Sequence, residues 1–307
     1  MTLEVERTSD NQFAYLFPGQ GAQVVGMGKE LYDHSEAAKS VFKEVDDALG
    51  RPLTDLLFNG PEDTLKETVN AQPAIMAVSL ACIKAMEEQL DIEIIPNPVV
   101  MAGHSLGEYT ALAVAGVLNV SDTAKLVQLR GELMQQACTQ NPGTMASVIG
   151  LDQMIVTEVV NETGAYVSNI NTAEQIVISG EHKAISDASD LLSKKGAKKV
   201  IPLRVGGAFH SGLMEPAKYE LEQAMHELTF KDSNVPIIAN CSAKPIVSVA
   251  DIKHELISQI CGCVHWHQSI DYMVKSGISN FIEVGPGKAI NGMVRRIDKS
   301  ANITSVN

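Results

Sequence analysis

The sequence predicts an α/β fold carrying a compact β-α-β-β-α-β insert, and three observations predict it. Four apolar residues, Val99-Val100-Met101-Ala102, run into Gly103-His104-Ser105-Leu106-Gly107, and a small-residue segment follows over 110–118. That is the G-x-S-x-G pattern in the order strand, sharp turn, helix. Two further apolar runs, 13–17 and 280–284, end in glycine-rich turns, Pro18-Gly19-Gln20-Gly21 and Gly285-Pro286-Gly287. From Thr144 the periodicity alternates between 2 and 3.6 in about 60 residues, in the order of a ferredoxin-like unit.

A chain of 307 residues accommodates one large α/β domain with an insertion, or two domains. Apolar residues are 45% and charged residues 20%, an ordinary globular composition. The net charge of −13 argues against nucleic acid as the main partner. An acidic substrate stays possible where a local cation binds it. The five cysteines, Cys82, Cys138, Cys241, Cys261 and Cys263, are odd in number and scattered, so they read as reduced thiols of a cytosolic protein. Cys261-x-Cys263 lacks the second ligand pair of a zinc site. Residues 2–12 are polar, without the apolar core of a signal peptide, and no stretch reads as long and apolar enough to span a bilayer.

The elements follow in chain order. The run 13–17 is a buried strand. Its glycine loop lets the backbone approach something closely, or is a plain turn; with no Gly-Lys-Ser/Thr after it, it is not a phosphate loop. Ser35 caps a helix over 36–49, with Ala38, Val41, Phe42, Val45 and Leu49 on one face and Gly50 as the stop. Pro73 marks the start of the next helix, with a stripe of Ile75, Met76, Ser79, Cys82, Ile83 and Met86. At the serine turn, Gly103 and Gly107 relieve crowding that a Cβ would cause. The turn lifts the Ser105 hydroxyl clear of the sheet, and the next helix aims its first N–H groups there. Ser105 is a candidate nucleophile against the alternative of an ordinary strand-to-helix turn.

Ser121 is expected to cap the following helix, to about Ala137, with Thr123, Leu126, Val127, Leu133 and Met134 inward. Arg130 falls on that same stripe. An inward arginine needs an anion: an internal Asp or Glu, or a substrate carboxylate held bidentately. The insert spans 142–205, with strands at 145–149, 166–170, 176–179 and 199–203 and helices at 152–161 and 183–195. Asn169 and Asn171 end its second strand, facing a cleft or serving turn chemistry. Four of the eight histidines, His34, His182, His226 and His254, sit in polar contexts. His104 adjoins Ser105 in sequence, so its side chain should point away. His265 and His267 flank Trp266 as a weak His-x-His signal. His210, in the loop Val205-Gly206-Gly207-Ala208-Phe209-His210-Ser211, is the best base. A helix starts near Pro216, a strand covers 236–240, a helix 251–260, a strand 280–284 and the last helix 289–297.

Five motifs occur in one order: Phe17-Pro18-Gly19-Gln20-Gly21, Gly103-His104-Ser105-Leu106-Gly107-Glu108, Gln128-Leu129-Arg130-Gly131, Phe209-His210-Ser211-x-x-Met214 and Glu283-Val284-Gly285-Pro286-Gly287. Together they resemble the malonyl-CoA:acyl carrier protein transacylases over residues 13–297. The resemblance implies an α/β-hydrolase-like core with a parallel sheet, formed by 1–141 and 206–307, around the ferredoxin-like subdomain 142–205. Carried over by motif, Ser105 is the nucleophile and His210 the general base. The backbone N–H groups of Gln20 and Leu106 form the oxyanion hole. Arg130 grips the malonyl carboxylate, and Asn169 and Asn171 match the family's Asn-x-Asn near the cleft, Asn169 as a substrate-binding residue. Gln259 matches the glutamine whose backbone carbonyl orients the histidine, in place of a triad acid. Cys263 departs from the proline often found there.

The resemblance further implies a ping-pong transfer from malonyl-CoA through a malonyl-serine to the phosphopantetheine thiol of an acyl carrier protein, with no metal and no redox cofactor. A cytoplasmic monomer is expected, without nucleic-acid or membrane partners. Activity should fall as pH drops through the pKa of His210. A thioester hydrolase on the same fold and a non-catalytic carrier-docking module are the rival readings. Phe209 before His210 resembles the Ala-Phe-His form of malonyl-selective polyketide acyltransferases, so fatty acid and polyketide synthesis both remain open.

Overall fold

A computed structural model describes residues 12–89 and 97–307. Residues 2–11 of the polar N-terminal stretch lie outside the described residues. The chain opens with strand β1 (Phe13–Phe17), helices α1 (Lys29–His34), α2 (Glu36–Leu49), α3 (Leu53–Asn59), α4 (Glu62–Lys66) and α5 (Thr68–Gln89), strand β2 (Pro98–Gly103), and helices α6 (Leu106–Val114) and α7 (Val120–Gln140). There follow β3 (Thr144–Ile149), α8 (Gln153–Thr163), β4 (Tyr166–Thr172), β5 (Gln175–Gly180), α9 (His182–Lys194) and β6 (Lys199–Pro202). The last third holds α10 (Pro216–Glu227), β7 (Ile237–Ile238), β8 (Pro245–Ile246), α11 (Val249–Cys261), α12 (Trp266–Lys275), β9 (Asn280–Val284), α13 (Ala289–Ile297) and β10 (Asn302–Val306).

The larger sheet has the order β10-β9-β1-β2-β7-β8. Its pairings are parallel except at the β7–β8 edge. A parallel sheet must be covered on both faces, and the period-2 alternation of the central strands does this. Tyr15, Phe17 and Met101 join α2, α5 and α7 in one apolar core. Ala14, Leu16, Val100 and Ala102 join Trp266, Ile270, Met273, Ile290 and Val294 in another. The second sheet is antiparallel, in the order β4-β5-β3-β6. One of its faces buries Ala146, Val148, Ile176 and Ile178 against Val156, Val160, Ile185 and Leu192 of α8 and α9. Met145 and Val177, on the other face, enter the main core.

Three expectations need correction. The cap of α7 is Asn119, whose side chain accepts from Asp122 N at 2.7 Å; Ser121 instead donates to Glu44 at 2.8 Å. Asn119 offers the same capping acceptor two residues earlier. The helix bearing Pro73 begins at Thr68 and holds the proline inside. Proline removes the N–H that would bond the carbonyl of Val69, and Arg51 Nη2 donates to that carbonyl instead, at 3.4 Å. Lastly, one described helix, α5, is long and apolar enough to cross a membrane. It is 89% buried over its most apolar window, because it is the central helix of the main core.

Candidate active site

The carboxyl ends of β1, β2, β7 and β9 converge on one side of the sheet, where ligands bind in open parallel α/β folds. At the end of β2 the chain reverses into α6, and Ser105 takes φ 52° and ψ −107°. A non-glycine residue in that region costs of order 1–3 kcal/mol, so its surroundings must enforce it. The turn is tight enough that a Cβ on Gly103 would lie 1.9 Å from Gly107 C, and one on Gly107 would lie 2.2 Å from the Phe17 carbonyl oxygen. The β1 loop presses on the same turn: a Cβ on Gly19 would lie 2.4 Å from the His104 carbonyl oxygen. Gln20 is thereby held beside the elbow, its side chain donating to Thr68 Oγ1 at 3.1 Å. Leu106, the first residue of α6, is buried.

His210 sits in the loop after β6, also at positive φ, 56°. Its Nε2 is 2.7 Å from Ser105 Oγ and its Nδ1 is 2.8 Å from the Gln259 carbonyl oxygen. A carbonyl only accepts, so Nδ1 carries the hydrogen and Nε2 is left as the acceptor for the serine hydroxyl. Burial, then the positive charge of Arg130, holds the imidazole down at about 3. The ring is therefore neutral at physiological pH, the state a general base requires.

Arg130 is 1% exposed. Its Nη2 donates to Ser105 Oγ at 3.1 Å and to Gln259 Oε1 at 2.9 Å, and its Nη1 donates to Gln72 Oε1. The Tyr109 ring lies 5.2 Å from the guanidinium carbon. All these acceptors are neutral. Among the described residues, no ion pair involves Arg130, and its Nε–H is buried without an acceptor. The sequence left two anions open for this side chain, and no internal carboxylate touches it: Glu108 acts on Arg130 only through space, its carboxyl accepting from Asn240 N at 2.9 Å and from Gln259 Nε2. Burial, then the neighbouring charge of Glu255, raises the Glu108 pKa well above the usual carboxylate range.

Of the other sequence candidates, His104 turns to Asn171 Oδ1, at 2.9 Å. Asn169 Nδ2 lies 3.4 Å from the same ring nitrogen, which is already the donor to Asn171, so both asparagines reach Ser105 only through its neighbour. Gln259 contributes more than its carbonyl, because its side chain also donates to the Ser105 carbonyl at 2.9 Å. A cleft of about 480 Å³ adjoins the elbow, lined by Gln20, His104, Asn171, Lys288, Met293 and Arg296 among others. His34, His182, His226 and His254 are exposed, and all five cysteines carry free thiols. Sequence reasoning missed Gln72, Asn240 and the role of Glu108 as a buried acceptor. A polar residue on the apolar stripe of α5, and one at the carboxyl end of a strand, were the available signals.

A family model described as acyl transferase domain matches residues 14–305. The chain is 42% identical over 301 residues to the malonyl CoA-acyl carrier protein transacylase of Bacillus subtilis, covering 96% of this chain and 93% of that protein. It is similar in structure to the acyl-carrier-protein-S-malonyltransferase from Bartonella henselae, with 42% identity, a TM-score of 0.92, and 96% and 95% of the two chains covered. It is also similar to a malonyl-transacylase solved in complex with a type II polyketide synthase acyl-carrier protein, with 35% identity, a TM-score of 0.92 and 96% of each chain covered.

Proposed function

The chain belongs to the acyl transferase family, among the malonyl-CoA:acyl carrier protein transacylases, and on that premise we propose that it moves a malonyl group from malonyl-CoA to the phosphopantetheine thiol of an acyl carrier protein by a ping-pong route. The observation that carries the acyl group's identity is Arg130: a buried guanidinium touching the nucleophile's oxygen, with neutral partners only. A buried cation with no anion in contact is costly, and a dicarboxylate monothioester brings one to the right place.

Ser105 Oγ attacks the thioester carbonyl while its proton passes to His210 Nε2. The Leu106 N–H, in a first helical turn where no i−4 carbonyl exists, and the Gln20 N–H hold the oxyanion. The C–S bond breaks, CoA takes the proton from His210, and a malonyl ester stays on Ser105. The carrier thiol then attacks that ester and the same proton path runs in reverse. Gln259 fixes the tautomer of His210. Lys288 and Arg296 put positive charge on the cleft where phosphates of CoA or of the carrier's arm would lie. Asn169 and Asn171 act on the substrate through the His104 side of that cleft. We read 142–205 as a ferredoxin-like subdomain inserted in an α/β-hydrolase-like core of 1–141 and 206–307; the 2-3-1-4 strand order of the small sheet supports this.

Mixing the protein with malonyl-CoA should give one malonyl adduct by intact-mass measurement, and adding a holo carrier should move it to the carrier. Free malonate without transfer would make the protein a hydrolase, and no release of CoA would make it a docking module. Running fatty-acid and polyketide carriers side by side separates the two pathways.

The depressed pKa of His210 sets where the expected acid limb falls. The acid limb should not follow the ordinary imidazole range near 6.5, since the free enzyme's base stays neutral down to about 3. The acylation kcat/KM should therefore be flat from about pH 8 to about pH 5, where an unshifted imidazole would already have lost more than tenfold. Below about 6.5 the unfolded chain takes up protons that His210 and His104 refuse in the fold, so the contribution of these two histidines to stability falls as pH falls, while Glu108, with its pKa raised by burial, contributes the opposite slope. Rapid-quench pH jumps, shorter than unfolding, isolate the chemistry. A tenfold fall centred near 6.5 would show that His210 is not held neutral.

A further inference from the structure

The strained nucleophile needs a device that enforces it, and none of the residues with a mechanistic role so far supplies it on the amide side. Asn240 lies just past β7, 1% exposed and 135 residues along the chain from the elbow. Its Oδ1 accepts from the Ser105 backbone N–H at 2.7 Å. Its Nδ2 donates to the Gly103 carbonyl at 2.7 Å. One planar amide thus spans both sides of the turn; the bond to Gly103 is buried and the one to Ser105 partly so, and loss of a partner costs most where water is excluded. The clamp is itself clamped: Asn240 N donates to Glu108 Oε1 at 2.9 Å, and its carbonyl accepts from His265 N at 2.8 Å. Glu108 in turn accepts from Gln259, whose carbonyl orients His210.

We propose that Asn240 is a positioning residue for the nucleophile, its side-chain amide holding the backbone of Gly103 and Ser105 so that the Ser105 hydroxyl lies between His210 and Arg130. An asparagine is suited to this because the turn presents one donor and one acceptor, and its side chain carries one of each in a fixed plane. Leucine has the size but neither bond. Aspartate keeps the acceptor for Ser105 N–H and sets an oxygen against the Gly103 carbonyl.

The proposal rests on the transacylase reading only for the choice of acyl donor, so the test uses two probes on the full chain. The first is malonyl-CoA, followed by rapid quench for the rate constant and the amplitude of acyl-enzyme formation. The second is a fluorophosphonate, which forms an O–P bond to Ser105 and releases fluoride without needing the malonyl site. With both probes, Asn240→Leu should slow the rate constant about a hundredfold, the scale of a misplaced reacting group. Asn240→Asp should slow it about tenfold, the scale of one lost buried hydrogen bond. The amplitude per folded protein and the malonyl-CoA dissociation constant should hold. A merely structural residue would do the reverse, lowering the amplitude and the melting temperature while the reacting molecules kept the wild-type rate constant; that result, or wild-type rates in both variants, overturns the proposal. If Asn240→Leu does not fold, the rate and amplitude of Asn240→Asp decide in the same way. Wild-type labelling by the fluorophosphonate without a malonyl adduct would overturn the acyl-donor assignment and leave the clamp to be judged by the second probe.

Discussion

Replacing Ser105 by alanine is expected to abolish the malonyl adduct entirely and to lower transfer to the carrier by about a millionfold, the scale seen when a triad nucleophile is removed. The size follows from what the oxygen alone does. It sits 2.7 Å from His210 Nε2 and 3.1 Å from Arg130 Nη2, so it is the only atom at position 105 shared by the base and the cation. The backbone of residue 105 keeps its own restraints, Asn240 Oδ1 on the N–H and Gln259 Nε2 on the carbonyl, and alanine retains the Cβ already accommodated at φ 52°. The fold and the Arg130 pocket should therefore survive, and malonyl-CoA should still bind. Intact-mass and equilibrium-binding measurements on the two proteins check both halves. An adduct of equal yield on Ser105→Ala would place the nucleophile elsewhere.

The parts of this site that were legible in the sequence are those determined by short-range sterics or by a face of one helix. The elbow is written into the nine consecutive residues 99–107, since only glycine fits at 103 and 107 when the chain turns that sharply. The inward position of Arg130 follows from its spacing to Val127, Leu133 and Met134, and its burial is what that spacing requires. What could not be read is which long-range partner answers each polar group. Asn240, Glu108 and Gln72 belong to a buried network whose members come from separate places in the chain, the loop after β7, α6 and α5, and no local pattern couples them. The same limit explains the Asn119 cap and the internal Pro73: Ser121 and Pro73 each carry a local signal, but a neighbouring asparagine and the distant Arg51 satisfy the backbone groups first.

The Arg130→Ala variant is expected to exchange acyl specificity. In the resting site the guanidinium has three amide or hydroxyl acceptors and an Nε–H without one, so the malonyl carboxylate would be the one anion in direct contact with it. Removing one member of such a buried pair costs roughly 2–5 kcal/mol, and malonyl-CoA should bear all of it. Acetyl-CoA has no carboxylate to leave unpaired. It should also benefit from a second effect, because the charge of Arg130 is the second-largest cause of the depressed His210 pKa. Without that charge the imidazole becomes a stronger base for every substrate. In the wild type only a dicarboxylate thioester can neutralise Arg130, and so only that substrate strengthens the base as it binds. The kcat/KM ratio of malonyl over acetyl should thus fall at least about tenfold, since about 1.4 kcal/mol is one decade, with the acetyl rate constant level or rising. Parallel acylation kinetics with the two thioesters, with circular dichroism to verify the fold, make the measurement. An equal decline for both would show that Arg130 serves Gln72 and Gln259 as a structural donor, and the dicarboxylate reading would lose its physical basis in this site.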